Sequence, residues 1–130
     1  MVKQELLLNT KGFTLVEIIA VMVILGVLAA VAVPRYVDLE DNARNKCIQT
    51  LISEINAREN LTWADHKIST SGFVSDLKVF NGINYNLDPS YTWHSGDPSI
   101  SGGIISFKGE SFTLSRWASS PLKAAIWKLK

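Results

Sequence analysis

Cysteine is almost missing from this chain. Cys47 is the only one among 130 residues, so no disulfide can form within it. That says nothing for or against an oxidising compartment. Cys47 stands just before Ile48 and Leu51 at helical spacing and reads as a small half-buried hydrophobe rather than a reactive thiol. Histidine is scarce too. His66 and His94 are the only two, and neither has a metal-ligand partner at a recognisable spacing. Each reads as a surface or turn residue. No nucleophile can be matched with a base, so no catalytic constellation emerges and the chain is not expected to be an enzyme. Strong net charge is also lacking. The balance is +1 with 19% charged residues, and no nucleic-acid motif accompanies the aromatic and basic C-terminal third. Neither a cofactor nor a nucleic acid is expected.

Those averages hide a strong segregation. From Ile18 to Val33 there is no charge and no strongly polar side chain. The rest is an ordinary mixture, about one hundred residues, enough for one domain with a modest core. As a helix, Phe13 to Val33 would span about 31 Å, close to the roughly 30 Å hydrocarbon core of a bilayer. Lys3 and Lys11 precede the run, so the positive-inside rule places the N-terminus in the cytoplasm and exports the chain beyond Pro34. Arg35 weakens that bias without reversing it.

Three readings fit such a segment. A secretory signal would be cut after its apolar core, and Ala29-Ala30-Val31-Ala32 offers small residues for that. A plain signal anchor carrying a periplasmic binding domain would need neither a Gly-Phe junction nor an acid. A segment built for assembly uses both, and Glu17 is the residue that favours it. An acid inside a membrane helix costs up to about 2.5–3.5 kcal/mol at the centre, less near the edge, so it calls for a partner. The apolar run holds no cation. Cleavage after Gly12 would create one, a free amine on Phe13, mostly protonated at neutral pH. Phe13 and Glu17 lie one helical turn apart, so the pair could close within one chain or with a staggered neighbour. The plain alternative is a Glu17 that rests among lipid headgroups.

Beyond Pro34 the pattern is helical again. Ile48, Leu51, Ile52 and Ile55 recur at helical spacing, and Trp63 continues the stripe. Arg44, Lys46, Glu54, Arg58 and Glu59 are assigned to the remaining surface. This amphipathic helix is expected over 35–67, ending at Ser69-Thr70-Ser71-Gly72. A connector of undefined shape covers 72–80. Short strands are expected over 83–87 and 91–94, separated by Asp88-Pro89. A hairpin of 104–108 and 111–117 is joined around Gly109-Glu110. Phe112, Leu114 and Arg116 alternate there with Ser111, Thr113 and Ser115. After Pro121, the spacing of Leu122, Ala125, Ile126 and Leu129 predicts a short helix, with a strand as the alternative. Charge is uneven along this part. Arg35 to Asp97 holds six cations and nine acids, whereas Pro98 onward holds five cations and one acid. Clustering by chance on a solvated surface explains this, and so does an acidic part of one subunit meeting a basic part of another.

Lys11-Gly12-Phe13-Thr14-Leu15-Val16-Glu17, with the uninterrupted apolar run to Pro34, closely resembles the type IV prepilin signature, shared by type IV pilins and the pseudopilins of type II secretion. The stretch Arg35 to Arg44 also resembles the helix start of mannose-sensitive haemagglutinin-type pilins. The resemblance implies an α+β fold, in which a long N-terminal helix, transmembrane in its first half, packs on a C-terminal antiparallel sheet of about four strands. It implies a cleaved leader over 1–12, a transmembrane and assembly helix over 13–34, and an exported head over 35–130 with its sheet in 83–130. Gly12 would precede the cut made by a prepilin peptidase, and Phe13 would be the new, N-methylated terminus. Phe13 and Glu17 would guide assembly, while Gly26 and Pro34 would bracket a stretch where the helix loosens. The implied function is a structural subunit of a type IV pilus-like filament for adhesion or motility. The alternative is a pseudopilin or minor pilin acting in protein secretion or DNA uptake. The implied partners are further copies of the chain, the peptidase, an assembly ATPase and a platform protein. The precursor would sit in the bacterial inner membrane, and the product on the cell surface, or in the periplasm for a pseudopilin. Some pseudopilins bind calcium near the region of Asp88 and Asp97, but the loop pattern is missing and no metal is expected. The missing cysteine pair departs from many pilins.

Overall fold

The computed structural model describes residues 12–96 and 98–130. The leader expected over 1–12 lies, apart from Gly12, outside the described residues, as does Asp97. The chain divides into two compact units, Met1–Arg44 and Asn45–Lys130. One helix, α1 (Leu15–Ile68), contributes to both. A short helix α2 (Asp76–Asn81) and four strands come after it: β1 (Tyr91–Trp93), β2 (Gly102–Phe107), β3 (Glu110–Trp117) and β4 (Ile126–Leu129). The strands form one antiparallel sheet in the order β1-β2-β3-β4. The architecture is α+β, as the sequence predicts.

In the first unit, α1 runs through Gly26 and Pro34 without a break. Proline lacks the N–H that would reach Ala30, but one missing bond is tolerated where the flanking turns are strongly helical. None of the apolar window is buried.

In the second unit, Ile48, Leu51 and Ile55 of α1 are buried, each no more than 3% exposed. Leu51 and Ile55 join Ile105, Leu114 and Trp127 from the sheet in one apolar cluster. Phe80, Tyr85, Tyr91 and Trp93 pack around it. The β2–β3 hairpin closes on Lys108 and Gly109, both with positive φ (49° and 84°). Two such residues make the tight turn whose twist matches the strands. Gly103 is needed for space, because a Cβ there would come within 2.8 Å of the Trp93 ring.

Several expectations give way here. Residues 83–87 are not a strand. The carbonyls of Asn84 and Asn86 accept from Arg58 Nη1 at 2.7 and 2.8 Å, and that of Tyr85 from Trp93 Nε1 at 3.0 Å. Side chains thus satisfy the backbone that a neighbouring strand would have satisfied. The connector after Gly72 contains α2, whose N-cap Ser75 accepts from Lys78 N. The C-terminal segment is a strand, not a helix. Asn56 clamps its outer edge: Oδ1 accepts from Trp127 N at 2.7 Å and Nδ2 donates to Trp127 O at 3.1 Å. An asparagine amide here does the job of one more strand. Trp63 Nε1 and Lys67 Nζ hold the carbonyls of Ser120 and Pro121.

The largest correction concerns Glu59, which is fully buried rather than on the surface. It accepts from Arg116 Nε at 2.5 Å and Nη2 at 3.2 Å, from Trp127 Nε1 at 2.8 Å and from Tyr85 Oη at 3.1 Å. Arg116 also reaches Asp76 with both terminal nitrogens at 2.8 Å. Asp76 accepts further bonds from Ser119 N and Oγ at 2.7 and 2.6 Å. This network ties α1, α2, β3 and β4 at one point. Burial and the adjacent Glu59 carboxylate push the Tyr85 phenol well up, so it remains a donor. Burial works against the Arg116 charge, but its bonds to Asp76 and Glu59 outweigh that and raise its pKa.

Asp76 titrates the opposite way. Partial burial favours its neutral form, but the bonds from Arg116 and Ser119 prevail and lower its pKa below the ordinary 3.8. A carboxylate depressed on folding adds stability that is complete above its unfolded value. That stability disappears as pH falls through the lower folded value. Acid titration of the full chain should therefore destabilise the head below about pH 4. The expected result in urea melts is a smaller loss between pH 5 and pH 3 for Asp76→Asn than for wild type. Equal losses would remove Asp76 from the acid response.

Candidate assembly helix

Phe13 is 83% exposed, and the large apolar side chains from Leu15 to Val33 are between 43% and 75% exposed. An apolar stripe usually faces one side of a helix and is covered by a core. Here the exposure is on all sides, which suits lipid or a bundle of like helices and not water. The helix is long and apolar enough to cross a bilayer.

Its first turn is a capping box. The helix begins at Leu15, so Thr14 is the N-cap and Glu17 the third helical residue. Glu17 N donates to Thr14 Oγ1 at 3.3 Å, while Thr14 N donates back to Glu17 Oε2 at 2.7 Å. Thr14 Oγ1 also donates to Oε2, at 2.8 Å. Two N–H groups that every helix start leaves without partners are thereby satisfied. Thr14 is the site residue that the charge of Glu17 overshadows in the sequence, and the T-x-x-E spacing is the signal that marks it. All three bonds involve the Thr14–Glu17 pair, and none takes Glu17 Oε1 among the described residues.

The other predicted residues are placed simply. Gly12 is exposed ahead of the helix, and Gly26 has open space around it. Gly26 and Pro34 lie within unbroken helix. Among the described residues, no group of three or more His, Cys, Asp or Glu side chains could hold a metal ion. Cys47 is half-buried, as expected.

Comparison with known proteins bears on this helix directly. Residues 7–33 match the family model described as the prokaryotic N-terminal methylation motif. The type IV narrow pilus major component PilA5 of Thermus thermophilus is 31% identical over 109 residues, spanning 84% of this chain and 90% of that protein. The chain belongs to the type IV pilin-like family. No solved structure matches it. As a pilin-like protein, it is a structural subunit of a filament-forming kind, and its N-terminal helix fits a membrane-anchored precursor. The Thermus relative is named as a pilus component and not as an enzyme.

Proposed function

We propose that this pilin-like chain is made as an inner-membrane precursor and polymerised through α1 into a surface pilus for adhesion or motility. The observation that carries this is the exposed apolar stretch of α1 over 15–33 with a single acid, Glu17, whose Oε1 takes no bond from the described residues. Residues 1–12 form a cytoplasmic leader. A prepilin peptidase cuts it between Gly12 and Phe13 and methylates the new Phe13 amine. Segment 13–34 holds the precursor in the membrane with its N-terminus in the cytoplasm, and the head of 35–130 is exported.

An assembly ATPase and a platform protein then draw α1 out of lipid into a bundle of identical helices. Apolar burial is kept in that transfer, while the Glu17 carboxylate gains the amine of a neighbouring Phe13. An uncompensated acid in lipid thus becomes a paired one in the bundle, which sets the stagger between subunits. Gly26 and Pro34 mark where α1 can loosen, since glycine is a poor helix former and proline already lacks one bond. The chain itself performs no catalysis in this scheme.

A short type II secretion filament would use the same helix. The pilus is favoured by the relative named as the major component of a narrow pilus. Quantifying the chain in material sheared from the surface of its native cells and in the remaining envelope distinguishes the two. The pilus reading expects most of the processed chain in the sheared fraction. Confinement to the envelope would replace it with the secretion reading.

A further inference from the structure

The head carries a cleft of about 370 Å³ beside the irregular segment after α2, lined in part by Phe80, Asn81, Asn84, Tyr85, Asn86 and Pro98. That volume lies at the lower end of the range of about 300–1,000 Å³ that small-ligand sites occupy. We propose that this cleft binds a neutral, hydroxyl-rich ligand of the sugar class.

The polar part of the wall is made of carboxamides. Among the described residues lining the cleft none is charged. Each asparagine offers two donors and an acceptor, which matches a hydroxyl that both gives and takes a hydrogen bond. These amides are largely unspent. Asn84 uses Oδ1 to accept from Asn86 N at 2.8 Å, a local turn that explains why an asparagine stands there. The exposed side chains of Asn81 and Asn86 make no hydrogen bond with the described residues, so they are available to a ligand. Phe80 and Tyr85, with ring centroids 5.0 Å apart, add half-buried aromatic surface on which the C–H face of a sugar ring can rest.

The backbone beneath is already fixed. Three successive carbonyls, of Asn84, Tyr85 and Asn86, are held by the half-buried side chains of Arg58 and Trp93. A loop ordered in advance loses little entropy when a ligand arrives. The inference rests on the adhesive reading for its purpose, but binding by the head is measurable whether or not filaments form.

The test is saturation-transfer NMR on the full chain in a detergent without sugar headgroups. The probes are glucose, galactose, mannose and N-acetylglucosamine, with sialic acid as the charged control. Saturable transfer from at least one neutral sugar is expected. Its dissociation constant should rise about tenfold or more in Asn81→Ala/Asn86→Ala, at an unchanged melting temperature. The proposal is overturned if no neutral sugar saturates, if only sialic acid binds, or if the double variant binds like wild type. Any of these would leave the distribution between sheared and envelope fractions, and so the filament reading, untouched.

Discussion

Replacing Arg116 with methionine should cost the head about 3–5 kcal/mol, enough to unfold much of a small domain. The reason lies in the groups that the guanidinium leaves behind. Glu59 is fully buried and would keep the Trp127 and Tyr85 donors, but its charge would have no counterion. Asp76 would lose two of its four bonds. Breaking one side of a buried pair is far more costly than removing both sides. The double variant Glu59→Leu/Arg116→Met should therefore recover a large part of the loss, since Asp76 keeps Ser119 and its side chain is 17% exposed to water. Urea melts followed by tryptophan fluorescence read this directly, because Trp93 and Trp127 both sit in the core cluster or against it. Losses that simply add across the two sites would mean that the buried charge is not the cause.

Glu17→Ala should have the second large effect, at the other end of the chain and on a different property. The head should keep its melting temperature, because Glu17 belongs to the unit ending at Arg44. The start of α1 would lose the capping box with Thr14, about 1 kcal/mol of local helix stability. Filament yield in sheared material should fall about tenfold or more, while the amount in the membrane stays the same. In the proposed assembly, the transfer of α1 from lipid to bundle is driven partly by relief of an acid that costs up to about 2.5–3.5 kcal/mol in lipid. Alanine removes that cost and with it the reason to prefer the bundle. Thr14→Ala separates the two roles of the first turn. It loses the cap and leaves the acid, so it should assemble far better than Glu17→Ala. Equal defects in the two variants would assign the effect to capping.

The sequence displays its local regularities and conceals its long-range polar pairings. The long helix, the stripe of Ile48, Leu51 and Ile55 and the β2–β3 hairpin all arise from periodicities of 3.6 and 2, which depend only on near neighbours. The strand after Pro121 is hidden because Leu122, Ala125, Ile126 and Leu129 fit helical spacing. Pairing with β3 and the amide of Asn56, seventy-one residues from Trp127, fix it as a strand instead. Segment 83–87 misleads for a related reason. Its alternating apolar residues are real, but Arg58 and Trp93 take the carbonyls that a strand would need. Glu59 does carry a signal of its burial. It stands four residues after Ile55, on the buried stripe, just as Arg116 stands in the inward phase of Phe112 and Leu114. Opposite charges on two facing apolar stripes are each improbable alone and reasonable together, because a buried charge requires a partner. At the assembly helix, the resemblance to prepilins marks Gly12, Phe13 and Glu17, whereas spacing alone marks Thr14.

Release of α1 from its leader is the centre of the proposed mechanism, and the chain's own N-terminus records it. Intact mass and N-terminal sequencing of the protein sheared from its native cells measure that terminus. A mature chain beginning at Phe13, with one methyl group on its amine, is the expected result. A chain still beginning at Met1, or cut near Ala32, would contradict it, since neither product has a Phe13 amine to meet Glu17.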